Sequence, residues 1–208
     1  QRNGRLSKFI KPDFDVRVIT PKSIWARPEL NLQLTYSYEL IDPIYSDSVN
    51  YYQRGSYILS HNSVVFAVAK SFETSVKRYL YKYFQLDQKV KISIVGSADA
   101  YPIRRDIPYG REFDYFLRET DGIKYFCNNL VYEFDLNLEH FNDNCILALL
   151  RALSIRDFIN KEMPFLHERA DVVYDYDGFH DKVNKGGQYR KAVIKLTLYN
   201  VKLLNNEE

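Results

Sequence analysis

Apolar and polar residues alternate without a break from Asn31 to Leu40. Leu32, Leu34, Tyr36, Tyr38 and Leu40 fall on one side and Gln33, Thr35, Ser37 and Glu39 on the other. A period of two predicts a strand with one face on a core. The pattern then changes. Val65, Val68, Phe72, Val76, Tyr79 and Tyr83 form a stripe at helical spacing, which predicts a helix from a cap at Ser60 or Ser63 to about Phe84. Alternation returns from Lys89 to Val95, with Val90, Ile92 and Ile94 on one side, and ends at Gly96. A second long helix is expected from about Asn142 to Lys161, capped by Asn142, Asp143 or Asn144 and stopped by Pro164. Val172 to Tyr176 and Arg190 to about Val201 read as the last two strands.

Between the second strand and the second helix the pattern is weaker. Pro102 and Pro108 interrupt it, Arg111 to Glu119 fits a short helix, and Ile123 to Leu138 fits one or two strands turning at Asn128-Asn129. The first thirty residues, with Pro12, Pro21 and Pro28 among mixed charges, read as an irregular arm or linker. The expected organisation is therefore an arm over 1–30 and one domain over 31–208, with an insertion at about 100–143. Its order is β-α-β-(insertion)-α-β-β. That order predicts an α/β (α+β) sandwich, with helices on one face of a mixed sheet and an inserted subdomain after the second core strand.

Composition narrows the function. The chain has 208 residues, 46% of them hydrophobic and 27% charged, and a net charge of +2. So small a surplus gives no field for nucleic acid, and Arg104-Arg105 and Lys77-Arg78 are isolated pairs rather than a basic stripe. No apolar run is long enough to span a bilayer. Tyrosine is abundant at 18 residues. It suits sugar stacking or interfaces, and equally the cover of half-buried strands. Cys127 and Cys145 have neither CxxC nor zinc-ligand spacing. They either pair in an oxidising compartment or stay as two buried thiols, and the sequence leaves both open.

Catalytic signatures are missing: there is no HExxH, P-loop, GxSxG or SxxK. Asp171, Asp175, Asp177, His180 and Asp181 lie close together, but their spacing is not that of a calcium loop, and acids on strands and turns are more often solvated. No metal and no cofactor is expected.

Two segments carry a more specific signal. One is the strand end Ile92-Ser-Ile-Val-Gly96-Ser97-Ala98-Asp99. The other is the helix Asn144-Cys-Ile-Leu147-Ala148-Leu-Leu-Arg151-Ala152-Leu-Ser-Ile155-Arg-Asp-Phe158. Together they resemble the OmpA-like family, whose strand ends in Gly-x-Thr-Asp and whose helix reads Asn-x-x-Leu-Ser-x-x-Arg-Ala-x-x-Val-x-x-(Leu/Tyr). Asn144, Leu147, Arg151 and Ala152 match directly, Ala148 replaces the serine, and Ile155 and Phe158 stand at the two later apolar positions. Gly187-Gln-Tyr-Arg190-Lys191-Ala-Val-Ile resembles the family's closing Gly-x-x-Asn-Arg-Arg-Val-Glu-Ile. The resemblance spans roughly residues 56 to 200. Ser97 and Ala98 depart from the family pattern, as do Tyr101-Pro102-Ile103 and the insertion over the expected pocket.

The resemblance implies a non-catalytic cell-envelope module that binds the peptidoglycan stem peptide. Its place would be the periplasm or the periplasmic face of the outer membrane, and its role would be to anchor a protein to the cell wall. Diaminopimelate carries an ammonium and a carboxylate on one carbon. The resemblance assigns the first to Asp99 and the second to Arg151, whose guanidinium can grip a carboxylate in two places. Asn144, Ser97 and Leu147 complete the expected site. Asp99 and Arg151 could instead form a plain salt bridge between loop and helix. The alternative function is a protein-protein interaction or envelope-assembly module, with the pocket altered by the insertion and other envelope proteins as partners.

Overall fold

The structure, a computed structural model, describes residues 13–19, 31–40, 55–59, 64–81, 84, 88–118, 124–186, 189–190 and 192–201. The cap expected at Ser60 or Ser63 lies outside them. The chain builds one seven-stranded mixed sheet in the order β1-β2-β9-β3-β8-β5-β6. Its strands are β1 (Asp13–Ile19), β2 (Asn31–Leu40), β3 (Gln88–Ala98), β5 (Lys124–Cys127), β6 (Leu130–Glu133), β8 (Ala170–His180) and β9 (Ala192–Val201). The pairs β3–β8 and β5–β8 are parallel, and the others are antiparallel.

A parallel neighbour cannot be reached by a hairpin. The crossover from β3 to β8 runs through helix α3 (Asn144–Glu162) and the short α4 (Phe165–Arg169). Helix α1 (Val64–Ser75) packs on β2 and α3, while α3 packs on β3 and β8, so the two long helices share one face of the sheet. Val90, Ile92 and Ile94 of β3 and Ile194, Leu196 and Leu198 of β9 are wholly buried beneath them. The expected α/β architecture, with helices on a mixed sheet, is present.

Two local features differ from the pattern reading. Asp13–Ile19, inside the segment read as an irregular arm, is a strand paired with β2. Phe14, Val16 and Val18 alternate with Asp15 and Arg17 there, a short period-two signal overshadowed by the flanking Pro12 and Pro21. The first helix also gives way at Val76–Leu80 to a π-helical turn. Buried Phe72, Val76, Leu80 and Phe84 recur every fourth residue. Such a row drifts around a helix of 3.6 residues per turn, and a wider turn keeps it on the sheet.

Residues 100–143 carry their own elements: a ribbon of β4 (Ile107–Pro108) and β7 (His140–Phe141), helix α2 (Asp114–Arg118), and the β5–β6 hairpin. Asn128 and Asn129 take the hairpin turn with φ of 51° and 65°, the left-handed values that asparagine tolerates. The Asn128 side chain accepts from the His180 backbone N–H at 3.0 Å and donates to the His180 carbonyl at 2.9 Å, extending the β5–β8 pairing by one residue. Cys127 and Cys145 form a disulfide between β5 and the first turn of α3.

Most insertion aromatics pack. Tyr109, Phe113, Phe116, Tyr125, Phe134 and Phe141 join Leu147, Leu150 and Leu153 in a second core on the far side of α3. This is why α3 is buried on nearly every face. Tyr115 and Phe126 remain exposed.

Candidate binding pocket

The site begins where β3 leaves the sheet. Gly96 lies directly under α3, and a Cβ there would sit 2.0 Å from the Ala148 carbonyl oxygen and 2.8 Å from the Ala152 nitrogen. The absence of a side chain, with alanines opposite, lets helix and strand backbones touch. That contact brings Arg151, one turn along α3, against the end of the strand. Arg151 is fully buried; its Nη1 donates to the Ser97 carbonyl at 2.6 Å and its Nε to the Ser56 carbonyl at 3.1 Å. Two donors to two backbone carbonyls fix the plane of the guanidinium.

Asp99 follows on the loop and is 5% exposed. Its Oδ2 accepts from the Gly186 N–H at 3.0 Å and lies 3.6 Å from Arg190 Nε. Oδ1 takes no hydrogen bond from any described residue. Gly186 has φ of 129°, a left-handed conformation that favours glycine, and this turn presents its N–H to the carboxylate. The loop is further held by Ala100 N–H to the Asn184 carbonyl and Asp181 N–H to the Ala98 carbonyl, both at 2.8 Å.

Asn144 opens α3, while Asp143 is its cap, accepting from the backbone N–H groups of Cys145 and Ile146. The Asn144 amide is shared among the Asp99 carbonyl at 3.3 Å, the Tyr101 carbonyl at 3.1 Å and His180 Nε2 at 3.1 Å. It ties the loop to the start of the helix. For His180 to accept this bond, Nε2 must be unprotonated. Burial holds the imidazole below its ordinary value, helped by Lys182 and opposed by Asp143, Asp181 and Asp99.

These residues surround a cavity of about 460 Å³. Asp99, Asn144, Leu147 and Arg151 all line it, so four of the five expected site residues meet in one place. Ser97 is absent from the lining; it is buried and acts through the carbonyl that orients Arg151. Arg190 and Ser56 complete the inner wall, and the exposed Pro102, Arg104, Arg105, Asp106 and Pro108 form the rim. A direct Asp99–Arg151 salt bridge is not what holds the two segments together. Among the described residues Asp99 pairs with Arg190, and Arg151 donates to the Ser97 and Ser56 carbonyls.

Sequence reasoning missed several of these groups. Arg190 had a signal in the closing motif, whereas Ser56 had none. His180 drew attention only as part of an acidic cluster. The structure disperses that cluster: Asp175 pairs with Lys91 at 2.9 Å, and Asp181 closes its own turn onto Val183 and Asn184. Among the described residues no three of His, Cys, Asp and Glu converge on a metal-sized site, and no helix is long and apolar enough to cross a membrane.

No protein-family model matches this chain. No curated protein matches it either.

Proposed function

We propose that this chain is a non-catalytic binding module, a divergent OmpA-like domain that holds a zwitterionic amino-acid head group between Asp99 and Arg151. The ligand is the diaminopimelate of the peptidoglycan stem peptide, and the setting is the cell envelope. The observation that carries the reading is the common cavity. A carboxylate and a guanidinium, distant in sequence, both line one hollow of about 460 Å³, and each is oriented by backbone groups. Asp99 offers Oδ1 to an ammonium, and Arg151 offers a buried positive charge to a carboxylate. Low local polarity strengthens both attractions.

Two further features support the reading. The order of the long elements, β2-α1-β3-α3-β8-β9, supports it. The Cys127–Cys145 disulfide suits an oxidising compartment such as the periplasm. Calorimetric titration of the chain with a diaminopimelate-containing tripeptide tests the reading. Saturable binding that is lost when lysine replaces diaminopimelate is expected, and no heat with either peptide would refute it.

One observation favours the assembly alternative. Phe126 (51% exposed), Leu130 (57%) and Val131 (59%) leave the β5–β6 hairpin unusually apolar at the surface. A sacculus pull-down separates the two readings, since an assembly module would not sediment with purified peptidoglycan.

A further inference from the structure

The pocket is larger than a zwitterionic head group requires. Cavities that enclose whole ligands span about 300–1,000 Å³, and this one, at about 460 Å³, lies in that range. Among the described residues its lining includes Arg104, Arg105, Arg151 and Arg190, with Asp99 and Asp106. Asp99 already faces Arg190, and Asp106 accepts from the Asn142 side chain at 3.0 Å. A zwitterion seated between Asp99 and Arg151 makes no use of Arg104 and Arg105.

Arg104 and Arg105 stand next to each other on the rim, and neither hydrogen-bonds or pairs with an acid among the described residues. The loop that carries them is fastened at both ends. At its start the Tyr101 carbonyl accepts from Asn144, and Lys185 Nζ lies 5.5 Å from the centre of the Tyr101 ring. At its end Ile107 and Pro108 pair with Phe141 and His140. Proline at 102 further restricts the backbone. Two guanidiniums with no acid partner among the described residues, on an anchored loop beside a cavity, are a preorganised anion receptor. On a free loop the same residues would be two solvated charges.

We propose that Arg104 and Arg105 form a second subsite that reads a further carboxylate of the ligand, next to the head group held by Asp99 and Arg151. This deepens the binding-module reading and rests on it. The ligand is then a stem peptide that keeps a free carboxylate on the residue before diaminopimelate. A peptide in which that carboxylate is amidated is discriminated against. The insertion, on this account, adds selectivity to the pocket rather than closing it.

The test uses two synthetic tripeptides, L-Ala-γ-D-Glu-meso-diaminopimelate and the same peptide with the D-Glu α-carboxylate converted to its amide. They are titrated into the full chain and into the Arg104→Ala/Arg105→Ala double variant. Exposed ion pairs are worth little each, so the expected preference of wild type for the free acid is about fivefold, shrinking as salt is raised. The double variant is expected to bind both peptides alike, at the affinity wild type has for the amide. Equal binding of both peptides by wild type, or a preference that survives in the double variant, overturns the second subsite while leaving the head-group pocket standing. If neither peptide binds wild type, the pocket reading fails and the subsite with it. Circular dichroism and the Tm of the double variant should match wild type, because both side chains are exposed.

Discussion

The guanidinium of Arg151 is anchored to the carbonyl of Ser97 at 2.6 Å, across the contact where Gly96 meets helix α3. Strand end and helix are thereby locked in one orientation, with Asp99 two residues further along the same loop.

Arg151 should therefore matter for folding as well as for binding. Arg151→Ala leaves the buried carbonyl of Ser97 and the half-buried carbonyl of Ser56 without these donors, a loss of roughly 1–3 kcal/mol. Binding of a diaminopimelate peptide should fall at least tenfold, and Tm should drop by several degrees. Titration and thermal melts check both. A variant that binds as tightly as wild type would remove Arg151 from the site.

Asp99→Asn separates the two roles. The amide oxygen can still accept from the Gly186 N–H, but the buried pair with Arg190 is lost, so Tm should fall by a few degrees. The charge that would hold the ligand's ammonium is lost, and affinity should fall about tenfold, as expected for one charge-assisted hydrogen bond. Unchanged affinity with a lowered Tm would show that Asp99 only ties its loop to Arg190.

Gly96→Ala should be among the most damaging small changes in the chain. Its Cβ would lie 2.0 Å from a backbone oxygen, which no rotamer change relieves. Overpacking of this kind costs about 1–3 kcal/mol or more. Chemical denaturation should show a lower midpoint, and binding should weaken with it because Arg151 moves with the helix. A midpoint equal to that of wild type would mean that the helix–strand contact is looser than described.

Acid should weaken the site through His180. Burial holds its folded pKa below the ordinary histidine value of 6.5. Above that value the imidazole is neutral in both folded and unfolded chains and contributes nothing. As pH falls below it the unfolded chain takes up the proton first, so folded stability declines. When the folded imidazole is protonated, Nε2–H opposes the Asn144 amide and disturbs the loop. Affinity measured from pH 8 to pH 5 should fall on the acid side, and a His180→Gln variant should flatten that fall. An identical profile in the variant would assign the effect elsewhere.

Reduction of Cys127–Cys145 should loosen the insertion. The bond closes a loop of sequence separation 18, for which the chain-entropy argument gives about 3 kcal/mol. Tm should fall in dithiothreitol, and Cys127→Ser should reproduce the fall and then be insensitive to the reductant. A reductant effect that persists in Cys127→Ser would rule this bond out as the cause.

Local periodicity was enough to identify β2, β3, α3 and β9, because a strand or helix with one buried face writes that face into its own sequence. The hairpin turn at Asn128-Asn129 and the stop at Pro164 were legible for the same reason: the backbone angle or the missing N–H belongs to the residue itself. The motif spacing also singled out Asp99, Asn144, Leu147 and Arg151, which do line one cavity. What the sequence could not determine is anything that depends on which distant segments touch. The pairing of β5 with β8, the disulfide, and the burial of α3 by the insertion are of this kind. So are Arg190 as the partner of Asp99, Ser56 as an acceptor for Arg151, and the arrival of Arg104 and Arg105 at the rim. These are fixed by long-range packing, whose signal is shared among residues far apart in the chain and so leaves no periodic trace in any one segment.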